Sequence, residues 1–140
     1  MSLFNVMDIA STGMGAENVR LNTTASNIAN ANSVSSSYDA TYKARHPIFA
    51  AELKKATDSQ SMGVGVQVLG IVESNKPLQI EFNPNHPMAD QDGYIYKPNV
   101  NIIEEMADMM SASKAYETNV QVADTTKRIF RRVLQLGQGQ

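Results

Sequence analysis

The chain has 140 residues, a formal net charge of −2 and 6% aromatic residues, with no tryptophan and no cysteine. This charge gives no excess of Lys and Arg with which to displace counterions from a nucleic acid, so we expect no nucleic-acid partner. The absence of cysteine excludes disulfides, thiolate nucleophiles and cysteine-ligated metals. No run of 18 apolar residues is present, which argues against a membrane span, and residues 1–10 lack the basic and apolar regions of a secretory signal peptide.

The first 32 residues predict an amphipathic helix. Apolar residues recur at every seventh position, at Met7, Met14, Leu21 and Ile28. This spacing is typical of one row of a coiled coil. Gly13 and Gly15 interrupt the pattern, and each costs about 1 kcal/mol relative to alanine. We therefore expect a helix that is marginal alone, ending in the Asn- and Ser-rich residues 27–37.

The middle of the chain, residues 33–98, predicts a small β-rich region. Small or aromatic residues alternate with polar ones from Tyr38 to Arg45, and Pro47 disturbs that alternation. The polar residues 56–63 predict a loop. Three further segments predict strands, separated by turn signals that include Asp92-Gly93; these segments are residues 64–72, 78–82 and 94–96.

The C-terminal residues 99–140 predict a longer helix. Steps of four and three residues predict its contact seam, which includes Met106, Met109, Tyr116, Val120, Phe130 and Leu134. Asn101 is placed to cap the helix, with Glu104 three residues later, and Gly137 and Gly139 favour its end. The predicted fold is α+β, in which two terminal helices form a coiled coil around a β-rich insert, with domains at 1–32, 33–98 and 99–140.

The sequence gives little support to a catalytic or metal-binding function. His46 and His86 each precede a proline and have no metal-ligand spacing. Residues 90–93 resemble the opening of a calcium loop, but Asn101 stands where the bidentate Glu is required. No nucleophile motif or phosphate loop is present, so we predict no enzyme, no metal and no cofactor.

A basic cluster near the C-terminal end could bind phosphate groups or a membrane surface, or could face acidic residues of a neighbouring copy. It consists of Lys127, Arg128, Arg131 and Arg132. The acidic candidates are Glu104, Glu105 and Asp108. Asp124 and Arg128 have the spacing of an ion pair within the helix.

Both ends of the chain resemble the flagellar basal-body rod and hook family. The first resemblance covers Arg20-Leu21-Asn22 and residues 25–32. The second covers residues 98–101 and then Glu104-Glu105-Met106, Met109, Ala112, Ala115-Tyr116-Glu117 and Asn119. The short length resembles the proximal-rod members of the family rather than the larger distal-rod and hook members.

The resemblance implies a structural rod subunit that transmits torque from motor to hook. It implies export through the flagellar type III apparatus, which requires no cleavable signal peptide, and assembly in the periplasmic rod of the basal body. The implied partners are further copies of the chain, other proximal-rod proteins, the distal-rod protein and a basal-body adaptor at the export gate or MS ring. The terminal helices would then be D0-like and the insert D1-like. The competing interpretation is a soluble coiled-coil adaptor or chaperone-like protein that does not polymerise.

Overall fold

The computed structural model describes residues 2–52 and 63–139, with only the backbone of Gln138. The described residues form two helices and four short strands in the chain order α1, β1, β2, β3, β4, α2, which confirms the predicted α+β class. Their bounds are α1 Leu3–Asn30, β1 Arg45–Ala51, β2 Val66–Glu73, β3 Gln79–Phe82, β4 Tyr94–Lys97 and α2 Ile102–Gln138. The loop predicted at 56–63 lies, except for Gly63, outside the described residues.

Polar side chains set both ends of α1, and the sequence predicts the second of these ends. The hydroxyl of Ser2 accepts a hydrogen bond from the Asn5 N–H group at 3.2 Å, which satisfies one of the unpaired donors of the first turn. At the other end, the Ser33 hydroxyl donates to the Asn30 carbonyl at 2.8 Å. Serine side chains thus supply hydrogen bonds that the helix itself cannot make at its two termini.

The predicted cap of α2 is confirmed. The Asn101 side-chain oxygen accepts from the Ile103 N–H group at 3.1 Å, and the Asn101 carbonyl accepts from the Glu105 N–H group at 3.0 Å. The helix continues for 37 residues. At a rise of 1.5 Å per residue it is about 55 Å long.

The first predicted strand was wrong in position. Residues 38–44 form turns and coil, and β1 begins only at Arg45. The reason is local hydrogen bonding, because the Thr41 hydroxyl donates to the Ser37 carbonyl at 2.6 Å and the Ala40 N–H group donates to the Ser37 hydroxyl. Pro47 lies within β1, which the sheet accommodates because each strand of a two-stranded sheet has a free edge.

The two sheets are separate and antiparallel. In the β1–β2 sheet, Ser74 N–H donates to the Ala44 carbonyl at one end and Glu52 N–H donates to the Gly65 carbonyl at the other. In the β3–β4 sheet, the partners run from Gln79 with Lys97 to Phe82 with Tyr94. The turn before β4 uses Gly93 at φ = 83°, a conformation that favours glycine, as the Asp-Gly signal predicts.

The chain forms two compact units, and both helices contribute to each. The first unit comprises residues 1–19, 48–70 and 111–140, and the second comprises residues 20–47 and 71–110. The division into domains at 1–32, 33–98 and 99–140 stays a prediction. Among the residues that the structure describes, neither helix combines the length and the apolar character that crossing a membrane requires.

Candidate functional site: the helix junction and the exposed helix faces

A fully buried asparagine joins α1, α2 and β1 in the second unit. The Asn27 side chain is 0% exposed. Its amino group donates to the Arg45 carbonyl at 2.8 Å and to Glu105 Oε1 at 2.9 Å. Its carbonyl oxygen accepts from the Arg45 N–H group and the Tyr42 hydroxyl, both at 2.9 Å. Two donors and two lone pairs are the full capacity of an asparagine side chain, so all of it is used.

A second asparagine, Asn99, binds the backbone of Ala44, which immediately precedes Arg45. Asn99 Oδ1 accepts from the Ala44 N–H group at 2.8 Å, and Asn99 Nδ2 donates to the Lys76 carbonyl at 2.7 Å and the Ser74 carbonyl at 3.3 Å. Asn27 and Asn99 therefore fix the backbone of two consecutive residues at the entry to β1. Side-chain amides here make the hydrogen bonds that a neighbouring strand would otherwise make.

The acidic residues at the start of α2 complete this junction. Glu105 is 4% exposed and accepts from Asn27. Asp108 pairs with Arg20 at 2.8 Å, and these side chains are 49% and 28% exposed. A pair this accessible contributes less than about 1 kcal/mol, whereas leaving a buried polar group without its partner costs about 1–3 kcal/mol. The Asn27–Glu105 contact is therefore the stronger link between the two helices in this unit.

The junction was not identified from the sequence. The sequence places Asn27 at the end of α1 and offers Glu105 and Asp108 as partners for a basic cluster on a neighbouring copy. Glu105 is instead buried against Asn27. Asp108 pairs with Arg20 but is still 49% exposed, so its pairing with a neighbouring copy stays a prediction. The resemblance to the rod family does indicate both positions, because Asn27 and Glu105 lie in the segments that carry it.

The two helices run antiparallel where they pack. In the first unit, the Phe4 and Phe130 rings meet edge to face with centroids 5.2 Å apart. Also in the first unit, a Cβ atom on Gly13 would lie 2.7 Å from Asn119 Nδ2, so the glycine permits a close approach of the helices. In the second unit, Arg20 meets Asp108 and Asn27 meets Glu105. In each unit, later residues of α1 contact earlier residues of α2.

The heptad predicted for α1 lies at the edge of its packed face. The predicted residues Met7, Met14, Leu21 and Ile28 are all half-buried. The side chains of α1 that are buried most completely are small or polar, namely Ala10, Ala16, Thr23, Thr24 and Asn27. Small residues allow two helix backbones to approach closely, and the larger apolar side chains lie beside the contact.

The most deeply buried side chains of α2 each lie one position before a residue of the predicted seam. One predicted row is half-buried, at Met109, Tyr116 and Phe130. The other predicted row is exposed, with Met106 53%, Val120 40% and Leu134 48% accessible. In its place α2 packs through the row Glu105, Ala112, Asn119 and Thr126, of which Ala112 is 0% exposed. In the single chain, polar and small residues are buried more deeply than this apolar row, and the seam of the assembled rod stays a prediction.

As a result, α2 exposes many large apolar side chains. The most accessible are Ile103 at 79%, Met110 at 68% and Leu136 at 82%. Monomeric soluble proteins rarely expose contiguous apolar surface of large extent, and such surface marks an interaction site. We call Met106, Val120 and Leu134 the exposed apolar row of α2. This row, together with the neighbouring exposed residues Ile103, Met110 and Leu136, is the candidate assembly surface.

The basic cluster of α2 is fully on the surface. Lys127, Arg128, Arg131 and Arg132 are all exposed. The predicted pair within the helix is present, with Arg128 Nε 3.2 Å from Asp124 Oδ2. The other three cations make no ion pair with the residues that the structure describes.

The segment that resembled a calcium loop is a hydrogen-bonded turn. Asp90 Oδ1 accepts from the Tyr94 N–H group at 2.8 Å and from the Asp92 N–H group at 3.0 Å. The hydrogen bond from Tyr94 is the main cause that lowers the Asp90 pKa. Within residues 2–52 and 63–139, no three His, Asp or Glu side chains come together in a group that could hold a metal ion.

Comparison with known families matches both ends of the chain. Residues 7–35 match the model of the flagella basal body rod protein family, and residues 91–136 match the C-terminal model of the flagellar basal body rod FlgEFG proteins. The first match contains Asn27 and the second contains Glu105, so the buried junction joins the two matched segments. Matches of this kind define the class of flagellar basal-body rod proteins.

Relatives of full length refine this assignment. The flagellar basal-body rod protein FlgC of Salmonella typhimurium is 39% identical over 138 residues, which cover 99% of this chain and 100% of the relative. FlgC of Yersinia enterocolitica is 41% identical over the same shares, and FlgC of Borreliella burgdorferi is 35% identical over 152 residues, 99% of this chain and 100% of the relative. The chain therefore belongs to the FlgC family of flagellar basal-body rod proteins. It is a structural subunit of the flagellar basal body, where it associates with other rod components, and it is not an enzyme.

Proposed function

We propose that the chain is a subunit of the proximal rod that polymerises with further copies of itself and with other proximal-rod proteins. It also contacts the distal-rod protein and a basal-body adaptor at the export gate or MS ring. Export through the flagellar type III apparatus delivers it to the periplasm, and the assembled rod transmits torque from motor to hook. No chemical step is required of the protein, since its function rests on packing and shape.

The observation that carries this proposal is the exposed apolar row of α2. Met106, Val120 and Leu134 recur at every fourteenth position and are between 40% and 53% exposed. Each of these side chains is already about half buried, so burying the rest against another subunit yields roughly 1 kcal/mol each. Because that energy is not used within the chain, it is available for association. Methionine also adapts to neighbours that differ in shape.

In this proposal the predicted seam residues divide into two roles. The half-buried set both packs within the chain and borders the assembly contact; it consists of Met7, Met14, Leu21, Ile28, Met109, Tyr116 and Phe130. The exposed set acts in assembly. Residues 1–32 and 99–140 together form the D0-like core of the rod, and residues 33–98 form the D1-like insert.

The two roles predict different outcomes for the same kind of substitution. Met106→Asp and Leu134→Asp should leave the isolated chain folded, since about half of each side chain is exposed and an aspartate can reach water there, but should prevent incorporation into basal bodies. Leu21→Asp and Tyr116→Asp should impair both folding and incorporation. Circular dichroism of the purified chain and immunoblots of isolated basal bodies measure the two effects.

The matched control is Gln121→Asp, which adds the same charge at an exposed position on another face of α2. It should be incorporated as well as the unchanged chain. Normal incorporation and normal motility of the Met106→Asp and Leu134→Asp variants would contradict the proposal that this row mediates assembly.

A further inference from the structure

The two outer edges of the β3–β4 sheet differ in how their backbone groups are paired. On the β4 edge, Tyr96 and Ser35 exchange two backbone hydrogen bonds, each 3.0 Å long. On the same edge, the Tyr94 carbonyl accepts from the Asp90 N–H group at 2.9 Å, and the Tyr94 N–H group donates to Asp90 Oδ1 at 2.8 Å. The outward N–H and carbonyl groups of β4 are therefore all paired within the chain.

The outer edge of β3 is open. The Asn83 N–H group donates to the Gly93 carbonyl at 2.9 Å, so these two residues form a hydrogen-bonded pair at the end of the ladder. Because such pairs alternate along an antiparallel ladder, the N–H and carbonyl groups of Ile80 and Phe82 face away from β4. These four groups make no hydrogen bond to another residue in the part of the chain that the structure describes.

The two faces beside this open edge differ in polarity. On one face Ile80, Phe82 and Tyr94 are 58%, 62% and 41% exposed, and the rings of Phe82 and Tyr94 meet edge to face at 5.2 Å. The opposite face of β3 carries the exposed side chains of Gln79 and Glu81. Side chains alternate between the faces of a sheet, so a strand that pairs here fits best with apolar and polar residues in alternation.

We propose that an extended segment of a different rod protein adds to the outer edge of β3 as a third strand. An edge of unpaired N–H and carbonyl groups is complementary to another extended backbone, and strand addition is a general mode of peptide recognition. The segment places apolar residues beside Ile80 and Phe82 and polar residues beside Gln79 and Glu81. This inference rests on the proposed function, because it names one surface through which the chain contacts other rod components.

The size of the edge argues against a dimer of this chain. β3 has four residues and is about 13 Å long. A strand added over this length covers much less than the roughly 800 Å² per partner that a stable interface buries. The occupant must therefore be held beside the chain by further contacts, as a neighbouring component of an assembled rod is.

The register of β3 also disfavours pairing with its own copy. Antiparallel pairing that uses the outward groups of both Ile80 and Phe82 sets Ile80 of each copy opposite Phe82 of the other. The two Glu81 side chains then lie directly opposite each other at the centre, where like charges are destabilising. A different protein with a polar or basic residue at that position avoids this repulsion.

Amide hydrogen exchange tests whether the open edge is covered in the rod. In the purified chain, the Ile80 and Phe82 N–H groups should exchange faster than those of Tyr94 and Tyr96, which are the matched positions on the paired edge. In isolated basal bodies, exchange at Ile80 and Phe82 should slow by at least about tenfold. Exchange at these two positions that is equally fast in the purified chain and in basal bodies would refute strand addition.

A proline substitution tests the backbone contact separately from the side chain. Ile80→Pro removes an outward N–H group and leaves the bonds between β3 and β4, since edge strands tolerate proline where the N–H group faces solvent. It should fold by circular dichroism but enter basal bodies about tenfold less than the unchanged chain, the effect of one lost hydrogen bond. The matched control, Ile80→Val, keeps the donor and should enter normally.

Equal incorporation of the Ile80→Pro and Ile80→Val variants would refute strand addition while the rod function stands. If Ile80→Pro does not fold, the exchange measurement on the unchanged chain decides. Failure of the unchanged chain to enter basal bodies would refute the rod function itself.

Photo-crosslinking identifies the occupant of the edge. A photoreactive residue in place of Gln79, in a full-length tagged chain within basal bodies, should crosslink to an extended segment of another rod protein. Mass spectrometry of the crosslinked peptide locates that segment. A crosslink to a second copy of this chain, or to a helix, would overturn the proposed occupant.

Discussion

Replacing Asn27 should destabilise the second unit more than any exposed substitution on α1. Asn27→Ala removes four hydrogen bonds and leaves the Arg45 N–H and carbonyl groups, the Tyr42 hydroxyl and Glu105 Oε1 without this partner. An unsatisfied buried polar group costs about 1–3 kcal/mol. Water can reach some of these groups after the truncation, so we expect a total loss of roughly 3–4 kcal/mol in the free energy of unfolding.

Asn27→Asp separates the hydrogen-bonding effect from the loss of volume. The substitution keeps the shape but places a carboxylate where the amino group now lies 2.9 Å from Glu105 Oε1. Two carboxylates at this distance cannot both ionise without a large cost, so the pKa of the pair rises in the folded state. The destabilisation is therefore largest at neutral pH and is partly relieved as pH falls through that raised pKa, because a protonated carboxyl has one donor for the two acceptors that Asn27 serves. Asn27→Ala shows no such recovery.

The assay is urea unfolding of the purified chain, followed by tyrosine fluorescence and far-ultraviolet circular dichroism at several pH values. Ala25→Asp is the matched control, because it adds the same charge on α1 at an exposed position. It should cost less than about 1 kcal/mol and show no recovery at low pH. A loss below about 1 kcal/mol for Asn27→Ala, or equal effects of the two aspartates, would show that the junction does not stabilise the fold.

Two further predictions concern α1 and the turn before β4. Gly15 is exposed with no atom near its missing Cβ, so Gly15→Ala should stabilise α1 by about 1 kcal/mol. Gly13→Ala should lack this gain because its Cβ would meet Asn119 Nδ2 at 2.7 Å, and the gain should return when Asn119→Ala is added; equal thermal stability of Gly13→Ala and Gly15→Ala would contradict the close approach. Because the Tyr94 N–H bond lowers the Asp90 pKa, the stability from this turn is present above the ordinary aspartate pKa and is lost as pH falls through the lowered value. Nuclear magnetic resonance titration of the Asp90 carboxyl should give a midpoint below that of a model aspartate, and a midpoint at or above it would refute the assignment.

The sequence predicted the elements whose causes are local. Asn101 caps α2 through a hydrogen bond two residues away, and Gly93 adopts a positive φ within a single turn. Such interactions depend on neighbours in the chain, so residue type and spacing suffice to indicate them. Local interactions also explain the wrong strand from Tyr38 to Arg45. There the side-chain hydrogen bonds of Ser37 and Thr41 form a turn, which the alternation of residue types does not reveal.

The junction and the packed row of α2 could not be predicted in this way. The partners of Asn27 lie 15 to 78 residues away in the sequence, so no local pattern indicates that its side chain is saturated with hydrogen bonds. Likewise, Ala112 is fully buried although its side chain is small and only weakly apolar. A hydrophobic pattern indicates that side chains tend to be buried. It does not indicate whether the chain itself or a neighbouring molecule buries them.

This difference separates the contact that α2 makes within the chain from the contact proposed for assembly. The row that includes Met106 and Leu134 is apolar, which predicts burial, yet it is about half exposed in the single chain. The row that includes Glu105 and Asn119 is polar, which predicts exposure, yet it packs against α1 through specific contacts. A helix that forms its intramolecular contact with small and polar side chains keeps its large apolar side chains for a second surface. In the rod, both sets would then be buried, the first by the chain itself and the second by its neighbours.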